Sequence, residues 1–134
     1  MRYMLDTNIC IYLIKHHPPE VLLRFHSLRR GDVVMSAITY AELRYGVERN
    51  PSERETADLA LKNLIIDIPV LPFAEDACVS YGIVRAVMRD RKRDALDRLI
   101  AAHAVSRSLI LVTNNVDDFC GYPELNVENW VKLA

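Results

Sequence analysis

Four apolar runs in this chain each carry a carboxylate at or near one end, and segments of helix length lie between them. Tyr3-Met4-Leu5 stops at Asp6, and Val33 to Ala41 stops at Glu42. Asp97 opens the run Leu99 to Ala104, and Leu109 to Val112 leads through Thr113-Asn114-Asn115 to Asp117 and Asp118. Strands alternating with helices imply an α/β fold, a mostly parallel central sheet of four to five strands flanked by helices. In such an open sheet the carboxyl ends of the strands share one edge, and ligands bind outside it. Acids far apart in sequence can then meet in one cleft. Carboxylates gathered side by side cannot all stay ionised unless something positive joins them. The simplest partner is a hard divalent cation, Mg²⁺ or Mn²⁺, which prefers oxygen ligands. That arrangement suits hydrolysis of a phosphodiester.

The 134 residues are expected to form one domain, 1–134, with 51% hydrophobic and 26% charged residues, as in a soluble globular protein. No run approaches the ~20 apolar residues of a membrane span, and the acid at position 6 leaves no room for the apolar core of a signal peptide. Cys10, Cys78 and Cys120 lack C-x-x-C spacing and suggest neither a disulfide framework nor a zinc site; a reducing cytoplasm fits. No G-x-G-x-x-G or Walker A loop is present, which argues against a nucleotide-cofactor fold. With a net charge of −1, nucleic-acid binding needs a local basic patch. Arg85, Arg89 and Lys92, spaced by four and three, would share one helix face. An ordinary solvated face is the plainer reading.

Local signals mark the elements. Tyr3 to Leu5 reads as a buried strand, and Asp6-Thr7-Asn8 offers cap chemistry for a helix to about Lys15. A helix follows over Glu20 to Arg29, then a strand over Val33 to Ser36 and a helix from near Thr39 to Glu48. Ser52-Glu53-Arg54-Glu55 has the form of a capping box for a helix to about Leu64. Val70-Leu71 is a short strand. Ala74 to Arg91 reads as a long helix with Ala77, Tyr81, Val84 and Met88 on one stripe. A further helix runs from Asp94–Leu96 to about Ser106, Leu109 to Val112 is a strand, and Leu125 to Leu133 can add a last one.

Each acid alone has a dull explanation. Asp6 would serve as a helix cap, Glu42 could face solvent, Asp97 could complement a helix dipole, and Asp118 could cap a turn. His103 reads as a packed histidine, Cys10 and Cys78 as core, and Trp130 as an anchor for the last segment.

The ordered set of local motifs resembles the PIN-domain ribonucleases, specifically the VapC-type toxins of type II toxin–antitoxin pairs. The matching pieces are Met4-Leu5-Asp6-Thr7-Asn8, Ser36-Ala37-Ile38-Thr39-Tyr40-Ala41-Glu42-Leu43 with Tyr45-Gly46, and Tyr81-Gly82-Ile83-Val84-Arg85. They continue with Asp97-Arg98-Leu99-Ile100-Ala101-Ala102-His103-Ala104, Leu111-Val112-Thr113-Asn114-Asn115 followed by Asp118-Phe119, and Glu128-Asn129-Trp130. No one piece is specific; their order across nearly the whole chain is.

The resemblance implies a PIN-like fold and a site in which Asp6, Glu42, Asp97 and Asp118 are catalytic acids that hold one or two Mg²⁺ or Mn²⁺ ions. Asn115, where many relatives place an acid, becomes a polar supporter beside Thr7 and Thr113. Relatives usually carry an Ile-Gly pair shortly before the third acid. Here Asp94 takes the glycine position, so either Asp94 or Asp97 could approach a metal; the register of the following helix favours Asp97. The implied activity is cleavage of RNA, commonly tRNA, to 5′-phosphate and 3′-hydroxyl ends, with Arg85, Arg89 and Lys92 guiding the backbone. Implied partners are a VapB-type antitoxin that silences the site, operator DNA only through that antitoxin, and a second copy of the chain docked by helices Pro19 to Leu28 and Ser52 to Leu64. The rival readings are a catalytically silent PIN-like binding module and a metal-dependent phosphatase.

Overall fold

The structure, a computed structural model, describes residues 1–89 and 95–131. Its centre is a parallel sheet of five strands: β1 (Tyr3–Leu5), β2 (Val33–Ser36), β3 (Val70–Leu71), β4 (Ile110–Val112) and β5 (Val127–Glu128), in the order β3-β2-β1-β4-β5. The helices are α1 (Thr7–Lys15), α2 (Pro19–His26), α3 (Ala37–Glu48), α4 (Arg54–Asp67), α5 (Glu75–Val87) and α6 (Ala95–Ser106). The α/β class and parallel sheet expected from the sequence are found.

The three central strands are apolar at nearly every position because both faces of the sheet are covered. Alternate residues point to opposite sides. Tyr3, Leu5, Val33, Met35 and Val112 join one core with α1 to α4, while Met4, Val34 and Leu111 join the other with α5 and α6. On α5 the stripe Ala77, Tyr81, Val84 and Met88 turns inward, with Ala77 and Val84 fully buried. Trp130 closes the first core, stacking edge-on against Tyr3 at 5.5 Å and donating from Nε1 to Glu128 Oε1 at 2.9 Å.

Three local expectations change. The Ser52–Glu55 capping box does not form: Pro51–Glu53 is a single 3-10 turn, Ser52 Oγ donates instead to Asn50 Oδ1, and α4 starts without a side-chain cap. Pro51 fixes the backbone one residue too early for serine to cap α4. Cys78 is exposed, not core, because α5 is covered on one side only and Cys78 falls on the other. The helix expected to reach Arg91 ends at Val87. Lys92 and Asp94 lie outside the described residues.

The chain winds from β1 to β2 and β3 in one direction, then to β4 and β5 in the other. The winding reverses between β1 and β4, and the crevice at such a point, beyond the carboxyl ends of the strands, is where open α/β sheets bind ligands.

Candidate active site

Asp6 is the residue after β1, and Thr113 is the residue after β4. The pairing Leu5↔Val112 therefore brings them side by side at the reversal point, with Asp6 N–H donating to the Val112 carbonyl at 3.0 Å. Asp6 is buried, and its Oδ1 accepts from Ile9 N–H at 3.0 Å as the cap of α1. The cap reading and the site reading are thus compatible, because a carboxylate has a second oxygen to offer. The Thr113 hydroxyl bonds Asp6 and in turn accepts from Asn115 N–H at 3.0 Å. Asn115 also accepts from Asp118 N–H at 3.0 Å, which starts the 3-10 turn Val116–Phe119.

Glu42 reaches the same crevice from α3, and Thr7 Oγ1, in the first turn of α1, donates to its Oε1 at 2.8 Å. Both threonines expected to support carboxylates make such bonds. Burial raises the Asp6 carboxyl above its ordinary range; the Thr113 hydroxyl and the Ile9 N–H pull the other way, and the negative charge of Glu42 raises it again. Among the described residues, no Lys or Arg pairs with either acid. A buried carboxylate beside a second one, without a cation, is an unfavourable arrangement that a bound cation relieves.

Asp97 lies in the first turn of α6 and is half-buried. The last turn of α6 feeds the amino end of β4, so its first turn points toward the carboxyl edge of the sheet. Asp118 is exposed in the turn that follows β4. Among the described residues, no three Asp, Glu, His or Cys side chains close on one point. Asp6 and Glu42 meet, near enough for the charge of Glu42 to act on Asp6. Two carboxylates with nearby hydroxyls fit Mg²⁺, which usually takes one or two protein carboxylates and keeps several waters for substrate phosphate to replace.

Arg85 is exposed near the end of α5 with Nη1 3.4 Å from Tyr81 Oη, and Arg89 is exposed just beyond the helix. Beside Thr7 and Glu42 opens a feature the sequence did not reveal, a largely apolar cleft of about 850 Å³ between α1, α3 and α4. Ile11, Ile14, Val47, Ala57 and Leu61 line it, with Lys15 and Arg49 also on its wall. Its walls come from α1, α3 and α4, with Leu96 from α6, and in the sequence each of these apolar faces reads as ordinary core.

The fold agrees with the comparisons to known proteins. The PIN domain model matches residues 3–125. The tRNA(fMet)-specific endonuclease VapC of Shigella flexneri is 38% identical over 133 residues, 97% of this chain and 98% of the relative. Ribonuclease VapC2 of Haemophilus influenzae is 38% identical over 134 residues, 98% of this chain and 99% of the relative. The crystal structure of VapBC2 from Rickettsia felis, bound to a DNA fragment from their promoter, superposes with a TM-score of 0.88 at 33% identity, covering 98% of this chain and all of that one. The chain belongs to the PIN-domain family and, within it, to the VapC ribonucleases.

Proposed function

We propose that this chain is the metal-dependent endoribonuclease toxin of a VapBC-type pair, with Asp6, Glu42, Asp97 and Asp118 as its acid site. The observation that carries the reading is the buried Asp6 carboxyl beside Glu42, where the sheet reverses its winding. Asp6 and Glu42 would hold the ion, with Asp97 and Asp118 approaching from α6 and from the turn after β4. A bound Mg²⁺ or Mn²⁺ would supply Lewis acidity and an activated water for in-line attack at phosphorus. Thr7 and Thr113 orient the Glu42 and Asp6 carboxylates, and Asn115 holds the Thr113 hydroxyl in place. Arg85, Arg89 and Lys92 guide the RNA backbone by charge. The substrate is RNA, with tRNA the expected target, since single-stranded loops let bases splay open. Attack by water rather than by the ribose 2′-hydroxyl leaves 5′-phosphate and 3′-hydroxyl ends.

The neutralising partner is a small VapB-type antitoxin. An apolar helix laid in the cleft beside Thr7 and Glu42 would bring a basic side chain to the acids, and a guanidinium can bind two carboxylate oxygens at once. Operator DNA is then read through the antitoxin, in keeping with the net charge of −1 on this chain. A second copy has a further apolar surface besides the two helices expected from the sequence, which themselves expose Leu23 and Leu59. Val79, Ile83 and Val87 are exposed at four-residue spacing along α5. No helix among the described residues is long and apolar enough to cross a membrane.

The test is incubation of the purified chain with total RNA, with and without Mg²⁺, and mapping of the fragment ends. Mg²⁺-dependent cuts with 5′-phosphate ends support the reading. Equal cutting in excess EDTA, or turnover of a phosphomonoester with intact RNA, refutes it.

A further inference from the structure

We propose that the buried hydrogen bond between His103 and Ser36 is a clamp that fixes α6 against α3, making His103 a positioning residue for Asp97 and Glu42. The inference rests on the reading of those acids as the metal site. His103 is 1% exposed and Ser36 is fully buried, and His103 Nδ1 lies 2.7 Å from Ser36 Oγ. Ser36 caps α3, its Oγ accepting from Ile38 N–H at 3.1 Å. The single hydroxyl proton is therefore free to go to His103, and Nδ1 accepts it. The remaining ring N–H is then free to donate, and Pro72, just beyond β3, offers its backbone to the ring. Burial lowers the His103 pKa, which keeps the ring in the neutral form this pattern needs. Phe73 meets the ring edge-on at 5.2 Å. The charged groups acting on it are Asp76 of α5 and Arg107 just after α6, 3.9 Å apart.

The clamp sits between the acids in a definite way. Glu42 is six residues after Ser36 on α3, and Asp97 is six residues before His103 on α6. The relative placement of the helices that carry the two acids passes through the clamp. The surroundings of His103 on α6 are small and apolar: Ala101, Ala102 and Ala104 are all fully buried. An apolar ring would fill the same space, but apolar packing tolerates small slides that directed hydrogen bonds resist. Metal ligands must be held within about 0.5 Å of their productive positions.

The test uses the full chain and reads Mn²⁺ binding from the electron paramagnetic resonance signal of the free ion, beside thermal melting. His103→Phe removes the hydrogen-bonding ring nitrogens and should weaken Mn²⁺ binding about tenfold, the lower end of the range for groups that orient metal ligands. His103→Asn keeps an acceptor where Nδ1 stood and should restore most of that affinity even if its melting temperature stays low. Ser36→Thr should bind as wild type, whereas Ser36→Ala should lose affinity, with the Ser36→Ala/His103→Phe double variant no worse than the weaker single variant. Wild-type Mn²⁺ affinity in His103→Phe, or equal loss in His103→Phe and His103→Asn, overturns the clamp; if His103→Phe fails to fold, Ser36→Ala decides against Ser36→Thr on the same readout. Absence of Mn²⁺ binding by the wild type instead refutes the metal site itself.

Discussion

Replacing Thr7 by valine isolates one bond at the acid pair. Valine keeps the β-branched shape in the first turn of α1, so helix and packing are little disturbed. What disappears is the hydroxyl donating to Glu42 Oε1 at 2.8 Å. A hydrogen bond to a charged group contributes about 1.5–3 kcal/mol. Glu42 is only half-buried, so in the metal-free protein water replaces the donor and the loss of stability should stay near 1 kcal/mol. With metal the carboxylate must adopt one orientation, and the missing bond is felt in full. At about 1.4 kcal/mol per factor of ten, Mn²⁺ affinity should fall roughly ten- to hundredfold, in keeping with other groups that orient metal ligands. Titration with Mn²⁺ and RNA cleavage across a Mg²⁺ series would measure this. Cleavage at saturating Mg²⁺ should recover much of the wild-type rate, and Thr7→Ser should behave as wild type. Unchanged Mn²⁺ affinity in a folded Thr7→Val would show that Glu42 does not need this bond, and the reasoning would fail.

Asp6→Asn should abolish RNA cleavage, yet stabilise the metal-free protein, since asparagine caps α1 as well and carries no charge. The folded-state pKa of Asp6 lies above its ordinary 3.8, so stability is fully present below that value and is lost as pH rises through the raised one. The variant's advantage in urea melts should therefore be full at pH 7 and vanish below about pH 3.8; a variant less stable than wild type at pH 7 contradicts this. Asp97→Ala should abolish cleavage, while Asp94→Ala should reduce it modestly or not at all; the opposite ranking in a cleavage assay would move the third acid to Asp94. Trp130→Ala should cost about 3–5 kcal/mol, as for other buried aromatic truncations, because the ring is 5% exposed and packed on Tyr3; a loss under about 1 kcal/mol by urea denaturation would show that the last segment is not anchored there.

Much of the site could be read from the sequence because strand ends are punctuated chemically. Apolar runs stopping at Asp6 and at Thr113 reveal where strands finish, and a parallel sheet aligns those ends. Sequence reasoning could not supply the neighbour of each strand. The pairing of β1 with β4, which puts Thr113 on Asp6, depends on long-range packing. The same holds for His103, correctly read as a packed histidine, whose partner Ser36 lies in a different element. Ser52 shows a local pattern losing to its context, since the preceding Pro51 starts a 3-10 turn. Cys78 shows the limit of composition: apolar neighbours do not reveal which side of α5 is covered.

The placement of β1 has a consequence for biosynthesis. β1 is the middle strand, yet it is made first and lies between β2 and β4. Its β4 edge must wait unpaired until residues 110–112 leave the ribosome. Until then Asp6 has no Thr113 beside it, and the crevice between the two strands does not exist. Such distant pairings are also slow to form, because the loop must close before any contact rewards it. A nascent or prematurely terminated chain therefore lacks the completed crevice. The crevice is complete only after most of the message has been translated.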